Sequence, residues 1–329
     1  MTTGILLLPP GNRDRIYGED NLEALRELID LTDCCDLIGD LETLRPALQE
    51  TELICSGWGM MPLDAEFLAA APELRAVFYG AGSVRGFVTE EFWQHDILLT
   101  SAWAANAVPV AENTVAMMVL GMKNALESRR LTREERTFVR AQPIHGFYGA
   151  KIGIIGVGQI GRRVLERLQD YDVDLYYHDP YVPEETAKQF NATPVDLDVL
   201  FRTCHVVSLH APRIPSTRHM LTGEHFASMQ EGAVFINTAR GALIKEEEMV
   251  EELKKGRIFA FLDVTDPEPP KSDSPLYELD NVFLTPHIAG SMGEECKRMG
   301  AYVVEEVRRY LHDRPPAHPV TREMMEWMA

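Results

Sequence analysis

Short apolar runs alternate with helical patterns along the whole 329-residue chain, and this alternation limits the fold more than any other feature. Such alternation is typical of βαβ units, in which helices cover both faces of a largely parallel sheet. A chain of this length also exceeds the roughly 150 residues of an average domain. We therefore predict an α/β fold with two domains, each built on a doubly wound parallel sheet.

The apolar runs form two series, with a boundary between residues 100 and 109. The second series follows a long helical pattern that begins at Pro109 and runs to Arg140, and a last amphipathic pattern covers residues 292–311. The predicted strands are 5–8, 53–55, 74–79 and 97–100 in the first series, and 152–155, 173–178, 206–210, 233–237, 259–264 and 282–285 in the second. The predicted helices of the first series are 21–30, 41–49, 64–71 and 89–94.

The charge balance argues against nucleic acid and membrane surfaces as partners. Asp and Glu number 51 against 32 Lys and Arg, a formal net charge of -19, which repels phosphate backbones and anionic lipids. The opening segment MTTGILLLPPGNRD has no positively charged region and no small-residue cleavage site, so we expect a first buried strand and a cytoplasmic protein. The five cysteines show no CxxC spacing, and we expect reduced structural thiols and no metal site.

Gly156, Gly158 and Gly161 form the motif GVGQIG directly after the apolar run 152–155 and before a helical pattern. In this context the first glycine allows a tight turn, the second lets backbone approach a pyrophosphate, and the third lets helix pack on strand. The next apolar run ends at Asp179, 23 positions after Gly156. A carboxylate there accepts hydrogen bonds from the adenosine ribose and repels a 2′-phosphate, which predicts NAD rather than NADP. The alternative is a tight turn in a Rossmann-like protein that binds another nucleotide or none.

Three further segments stand at or just beyond predicted strand ends, where α/β sheets bind their ligands. They are NTARG at 237–241, DVTDPEPP at 263–270 and TPHIAG at 285–290. With YGAG at 79–82, ANAVPVAE at 105–112, SLHAP at 208–212 and STRHML at 216–221, these segments extend from residue 79 to residue 290. In these motifs the sequence resembles the D-2-hydroxyacid dehydrogenase family, which includes phosphoglycerate, glycerate, hydroxypyruvate and D-lactate enzymes.

Hydride transfer between a nicotinamide and a 2-keto acid requires a cation for the carboxylate and an acid for the carbonyl oxygen. Arg240 offers a planar fork that can hold the carboxylate and polarise the carbonyl. A histidine side chain can exchange a proton near neutral pH, and His287 is therefore the candidate for proton transfer with that oxygen. Glu268 would hydrogen-bond the far imidazole nitrogen, fix the tautomer and favour the charged form. The resemblance implies that these three residues are the catalytic Arg, Glu and His.

The resemblance also implies the organisation of the chain. It indicates two Rossmann-like or flavodoxin-like domains with a cleft between them and a homodimer. The substrate-binding domain would comprise 1–103 plus 288–329, and the NAD-binding Rossmann domain 104–287. Besides the three glycines and Asp179, the implied cofactor contacts are Gln159, Ile160, Pro180, His210, Ala211, Pro212, Thr217, Thr238, Ala239, Arg240, Asp263 at the nicotinamide carboxamide, His287 and Gly290. The implied substrate contacts are Trp58, Tyr79, Gly80, Ala81, Gly82 and Arg240, with backbone N–H groups of 80–82 on the carboxylate.

The loop SGWGMMP at 56–62 bears on the substrate because it has no Lys or Arg. A phosphorylated substrate requires a cation, so this loop disfavours phosphoglycerate. Trp58, Met60 and Met61 either line an apolar pocket or pack the domain. Arg85 either recognises a second substrate carboxylate or points to solvent. Glyoxylate, hydroxypyruvate and larger aliphatic or aromatic 2-keto acids all remain open as substrates.

The predicted function is therefore hydride transfer between NAD(H) and a small-molecule 2-keto or D-2-hydroxy acid. The alternative is a non-catalytic, NAD(H)-sensing binding protein like the corepressors that share this architecture. Formate oxidation is a third hypothesis, ranked low because Gln rather than Glu268 would be expected there.

Overall fold

The computed structural model describes residues 1–183, 185 and 188–327, and the chain forms two compact units. The first unit comprises Met1–Asn106 and Ser291–Ala329, and the second comprises Ala107–Gly290. Each unit has its own sheet, and every pairing between strands of these sheets is parallel. The predicted α/β class with two parallel sheets is confirmed.

The first unit has five strands in the order β2-β1-β3-β4-β5. The strands are β1 (Thr3–Leu7), β2 (Asp30–Asp33), β3 (Leu53–Ser56), β4 (Ala76–Tyr79) and β5 (Leu98–Ser101). The helices are α1 (Pro10–Ile16), α2 (Gly18–Leu28), α3 (Leu41–Leu48), α4 (Ala65–Ala70) and α11 (Glu295–Leu311). Separate apolar clusters lie on the two faces of this sheet, one packed against α2 and α11 and the other against α3 and α4.

The second unit has seven strands in the order β12-β11-β10-β9-β6-β7-β8. The strands are β6 (Lys151–Ile155), β7 (Asp174–His178), β8 (Ala192–Pro194), β9 (Val206–Leu209), β10 (Val234–Asn237), β11 (Phe259–Leu262) and β12 (Val282–Leu284). Its helices are α5 (Trp103–Met122, mostly in this unit), α6 (Ala125–Glu135), α7 (Gln159–Leu168), α8 (Leu197–Thr203), α9 (Gly223–Ser228) and α10 (Glu246–Leu253). None of the helices among the described residues combines the length and apolar character needed to cross a bilayer.

The central strands of the second unit explain the apolar runs in the sequence. All four residues of β9 and of β10 are buried. Strands of a parallel sheet covered on both faces are buried on both sides, so they carry continuous apolar runs instead of alternation. Strand β6 lies between β7 and β9, and the chain order therefore reverses at β6. In open α/β sheets, ligands bind beyond the carboxyl ends of the strands at such a reversal.

Four parts of the fold differ from the predicted pattern. Strand β2 reads DLTD with three exposed residues, and the three-residue β8 exposes two, so neither edge strand has the apolar run that predicts a strand. The predicted helix 89–94 is only the 3₁₀ turn Phe92–Gln94. The single pattern that begins at Pro109 is divided into α5 and α6 by Asn124, whose φ of 45° lies in the left-handed region and ends the first helix.

Candidate active site

The predicted site residues of the second unit lie at one edge of its sheet. Gly156 follows β6, Asp179 follows β7, His210 follows β9, Thr238 follows β10 and Asp263 follows β11. Because all these strands are parallel, their carboxyl ends meet at the same edge. The structure thus brings together motifs that are separated by more than 100 positions in the chain.

The glycine loop has the shape that the motif predicts. Gly156 has φ +87°, and a Cβ at this position would lie 2.6 Å from the backbone nitrogen of Ala211. A Cβ on Gly161 would lie 2.1 Å from the carbonyl oxygen of Gly156, so helix α7 approaches β6 as closely as backbone permits. A Cβ on Gly158 would meet nothing within 4 Å. Its open side leaves room for a ligand to approach the backbone.

The start of α7 and Asp179 complete this part of the site. No described side chain caps the N-terminus of α7 at Gly158, so the first N–H groups of the helix remain donors for an anion. Asp179 Oδ2 accepts a 2.7 Å hydrogen bond from the Val157 N–H, and its Oδ1 accepts one of 2.9 Å from the Tyr181 N–H. The carboxylate is thereby fixed against the glycine loop. These residues fit a dinucleotide, with the pyrophosphate at the helix start and the ribose at Asp179.

His210 is buried at 8% exposure and closes β9. Its Nε2 lies 2.9 Å from the Ser208 hydroxyl, whereas its buried Nδ1 has no hydrogen-bond partner among the described residues. Burial lowers the pKa of His210 from 6.5 to about 3. The imidazole is therefore neutral at physiological pH, with one nitrogen left for a ligand.

We expect His210 to make the folded protein less stable in acid. Its pKa in the folded protein, about 3, lies below the usual 6.5, so between these values the unfolded chain binds the proton and the folded chain does not. Stability is lost as the pH falls through 6.5 towards 3. Relative to His210→Gln, the unsubstituted protein should lose about 2 kcal/mol more unfolding free energy between pH 7 and pH 5 in urea titrations. Equal losses in the two proteins would contradict the assignment.

The segment after β10 is held in place by its own side chains. The buried Asn237 side chain accepts a 3.0 Å hydrogen bond from the Ala239 N–H and donates one of 3.1 Å to the Arg240 carbonyl. Arg240 Nη1 donates to the Ala239 carbonyl at 2.6 Å. Burial lowers the pKa of Arg240, and the positive charge of Arg213 acts in the same direction, while the Glu268 carboxylate opposes both. Arg240 is thus a largely desolvated cation with a carboxylate nearby.

Asp263 organises the loop that carries His287. Its Oδ1 accepts hydrogen bonds from the Thr285 hydroxyl (2.6 Å) and the Ile288 N–H (2.8 Å), and its Oδ2 accepts one from the Ala289 N–H (2.8 Å). Asp263 is 4% exposed, and both of its carboxylate oxygens accept hydrogen bonds from the protein itself. The predicted contact of Asp263 with the nicotinamide carboxamide therefore competes with three bonds that the sequence pattern did not indicate.

His287 and Glu268 form the pair that the sequence predicts. His287 Nδ1 lies 2.6 Å from Glu268 Oε1, and both side chains are nearly half exposed (48% and 41%). The backbone of His287 has φ +53°, a left-handed conformation that non-glycine residues adopt only where the surroundings impose it. The His287 N–H donates to the carbonyls of Asp263 and Thr285, both at 3.0 Å, which helps to impose it. The imidazole is held through Nδ1, and no hydrogen bond joins its Nε2 to any residue that the structure describes.

Glu246, at the start of α10, was not predicted from the sequence as a site residue. Its Oε2 accepts a 2.9 Å hydrogen bond from the Asp266 N–H, in the loop that carries Glu268. Burial raises the pKa of Glu246, and this hydrogen bond partly offsets the effect. Gly241 also packs on this loop, where a Cβ would lie 2.0 Å from the Thr265 carbonyl carbon. The loop therefore rests on residues directly after the Arg240 segment.

The remaining predicted cofactor contacts of the second unit vary in exposure. Thr217 uses its hydroxyl within its own loop, donating to the Pro212 carbonyl at 2.6 Å. Thr238 is 8% exposed and borders a cavity of about 130 Å³, which Asp263 and Thr285 also line. Ala211 and Ala239 are buried, Gln159, Ile160, Pro212 and Gly290 are half-buried, and Pro180 is exposed. Among the described residues, no group of His, Cys, Asp or Glu is arranged to hold a metal ion.

In the first unit, the loop after β4 differs from the prediction in two respects. The Tyr79 side chain is 5% exposed and packs on Phe87, with 4.6 Å between ring centroids, so it belongs to the core. The Gly80 N–H already donates to the Ser56 carbonyl at 2.8 Å. Within the described chain, the N–H groups of Ala81 and Gly82 have no hydrogen-bond acceptor. These two remain as donors for a ligand.

In the loop 56–62 of the same unit, the structure shows which side chains pack the domain. Met60 is 7% exposed and belongs to the apolar core, whereas Trp58 and Met61 are half-buried at its margin. Arg85, the other open residue, donates from Nη2 to the carbonyl of Met325. Its guanidinium is thus engaged by the segment that follows α11.

Comparison with known proteins identifies the family of the chain. The sequence model of the family described as D-isomer specific 2-hydroxyacid dehydrogenase, NAD binding domain, matches residues 115–289. The chain is 34% identical over 249 residues to D-3-phosphoglycerate dehydrogenase of Methanocaldococcus jannaschii, covering 75% of this chain and 47% of that protein. It is 30% identical over 270 residues to glyoxylate reductase of Korarchaeum cryptofilum, covering 80% and 81%. The chain thus spans about half the length of the first relative and most of the second.

A solved structure shows the same fold. The phosphoglycerate oxidoreductase of Rhizobium etli superimposes with a TM-score of 0.82 over 99% of this chain and 100% of that chain, at 22% identity. At this identity the likeness concerns the fold alone. The family match and the two relatives carry the assignment further and confirm the resemblance seen in the sequence motifs. The chain therefore belongs to the D-isomer-specific 2-hydroxyacid dehydrogenase family.

Proposed function

We propose that this chain catalyses the NAD(H)-dependent interconversion of a 2-keto acid and the corresponding D-2-hydroxy acid. The observation that carries the proposal is the His287–Glu268 pair, 2.6 Å apart, with the half-buried cation of Arg240 within electrostatic reach of the same carboxylate. A proton donor beside a cation is the arrangement that reduction of a 2-keto acid requires. The family's NAD-binding domain supplies the context.

Each of the three residues has a distinct task. When bound, NADH supplies the hydride for the substrate carbonyl carbon. Arg240 binds the substrate carboxylate through its planar fork and polarises the carbonyl, and its burial strengthens both interactions. His287 delivers a proton from Nε2 to the carbonyl oxygen, or removes it in the oxidative direction. Glu268 accepts from Nδ1, which fixes the tautomer and orients the ring.

The remaining assignments follow the family. We assign the NAD-binding role to 104–287 and the substrate-binding role to 1–103 plus 288–329. In the first unit, the free N–H groups of Ala81 and Gly82 and the half-buried Trp58 are assigned to the substrate. In the second unit, the remaining nitrogen of His210 is assigned to the cofactor. We also expect a homodimer, which sedimentation of the purified protein would test.

The proposal is tested by NADH oxidation with glyoxylate, hydroxypyruvate, pyruvate, phenylpyruvate and branched-chain 2-keto acids, with NADPH in parallel. Turnover of at least one acid, giving the D-hydroxy product by chiral chromatography, is the expected result. NADH binding without turnover of any acid would reject the proposal in favour of a non-catalytic NAD(H)-sensing protein.

The preference for NADH is predicted to depend on Asp179. Asp179→Asn removes the charge that repels a 2′-phosphate, and it also replaces one of the two oxygens that accept backbone N–H groups. We expect the ratio of kcat/KM for NADH over NADPH to fall about 10- to 100-fold. Asp174→Asn, at the exposed opposite end of β7, is the matched control and should leave the ratio unchanged. An unchanged ratio in Asp179→Asn would assign the preference to other residues.

A further inference from the structure

Arg15, on helix α1 of the first unit, is a cation with almost no acceptors. Its guanidinium carbon lies 4.8 Å from the centre of the Trp58 ring, and its Nη2 donates to the Met292 sulfur at 3.2 Å. Within the described chain, no carboxylate lies within 4.0 Å of it. Arg13, two residues earlier, instead pairs with both Asp14 and Asp33. Arg13 is therefore neutralised by two carboxylates, whereas Arg15 on the same helix has no carboxylate partner among the described residues.

The position of Arg15 relative to Trp58 is fixed by other contacts. Asn12 Nδ2 donates to the Trp58 carbonyl at 2.9 Å. Gly59 has φ +89°, and a Cβ there would lie 2.4 Å from the Pro9 ring, so α1 and the loop 56–62 pack at backbone distance. The aromatic ring and the guanidinium are thus positioned before any ligand arrives. Such preorganisation lowers the entropic cost of binding.

The donors of Arg15 are available for an anion. A guanidinium has five N–H donors, and a thioether sulfur is only a weak acceptor for one of them. Arg15 is also exposed, whereas Trp58, the residue of the loop 56–62 on which it stacks, is half-buried. Planar guanidinium groups bind carboxylates and phosphates through paired hydrogen bonds. In a chain of formal net charge -19, a dianionic ligand needs such a local cation to overcome the general repulsion.

We propose that Arg15, stacked on Trp58, binds a second anionic group of the substrate. The preferred substrates are then 2-keto acids that carry a carboxylate or phosphate distant from the reacting carbonyl. This inference rests on the proposed function, which assigns Trp58 to the substrate. It also revises the expectation from the loop 56–62, since the cation missing from that segment is supplied by α1. Arg85, the other arginine considered for this role, is bonded to the Met325 carbonyl.

The test compares Arg15→Met with the unsubstituted protein on pairs of acids that have the same number of carbon atoms and differ in the second anionic group. The dianions are 2-oxoglutarate for a carboxylate and 3-phosphohydroxypyruvate for a phosphate, and the monoanions are 2-oxopentanoate and hydroxypyruvate. The unsubstituted protein should prefer one dianion over its matched monoanion. Arg15→Met keeps an unbranched side chain on Trp58, and it should lower kcat/KM for that dianion about 10- to 100-fold, mainly through KM. The monoanions should change less than about threefold.

The controls separate charge recognition from loop packing and from folding. Arg26→Met removes an exposed arginine of α2 and should leave every substrate unchanged. Arg15→Lys keeps the charge without the fork and should restore part of the dianion activity. A preference of the unsubstituted protein for monoanions, or an equal loss for all acids in Arg15→Met, would overturn the inference while the proposed function stands. If the unsubstituted protein turned over none of the 2-keto acids, both the proposed function and this inference would be rejected.

Discussion

Replacing His287 with Asn is expected to lower kcat about 10²- to 10⁴-fold in 2-keto acid reduction, the range that a positioned general acid contributes. Asn is the most suitable replacement because His287 has φ +53°, and Asn tolerates the left-handed region better than other non-glycine residues. The loop held by Asp263 should therefore persist, and the Kd for NADH should remain nearly unchanged. Single-turnover kinetics and NADH fluorescence titration measure the two quantities separately.

The matched control for this prediction is His95→Asn, which changes an exposed histidine of the first unit and should retain full activity. Glu268→Gln provides an intermediate case. The amide oxygen can still accept from Nδ1, so the tautomer survives, but the charge beside the imidazole and Arg240 is lost. We expect a decrease in kcat of about 10- to 100-fold. Turnover by His287→Asn within about tenfold of normal would remove His287 from the role of general acid.

Much of the fold was predictable because buried parallel strands have a simple signature. Runs such as 206–210 and 233–237 are mostly apolar because both faces of the sheet are covered, and they overlap β9 and β10. Strands β2 and β8 lack that cause, because an edge strand with solvent on one side has no need of apolar residues. The break between α5 and α6 depends on the left-handed backbone of Asn124. The only sign of it in the sequence is an asparagine, a residue that tolerates this conformation.

The site shows a similar division between what local sequence reveals and what it does not. The residues to which we assign the chemistry, such as Arg240 and His287, lie near strand ends in short motifs with a recognisable order. The residues that hold these side chains in place do not belong to such motifs. Glu246 bonds to a backbone N–H 20 positions later, and Asp263 bonds to backbone 25 and 26 positions later. Such bonds join loops that only the folded sheet brings together, so no pattern of spacing predicts them.

The backbone around Arg240 is fixed by contacts of the neighbouring residues. Its backbone is fixed by Asn237, and the loop beyond it packs on the loop of Glu268 through Gly241. A change at Arg240 therefore alters a single charged fork within a rigid frame. The same frame limits how far a replacement side chain can adjust, because Gly241 leaves no space for the backbone to move.

Arg240→Lys is expected to lower kcat/KM about 10²- to 10³-fold for every 2-keto acid while NADH binding is retained, because lysine keeps the charge but cannot form the paired hydrogen bonds of a guanidinium. Arg202→Lys, at an exposed position of α8, is the control and should have normal kinetics. Steady-state kinetics with the best acid of the panel give the ratio directly. Burial lowers the pKa of Arg240, and a lysine at the same depth gives up its proton more readily, so the deficit of Arg240→Lys should grow as the pH rises. A deficit of less than about fivefold, independent of pH, would show that positive charge alone suffices and that the fork geometry is not used.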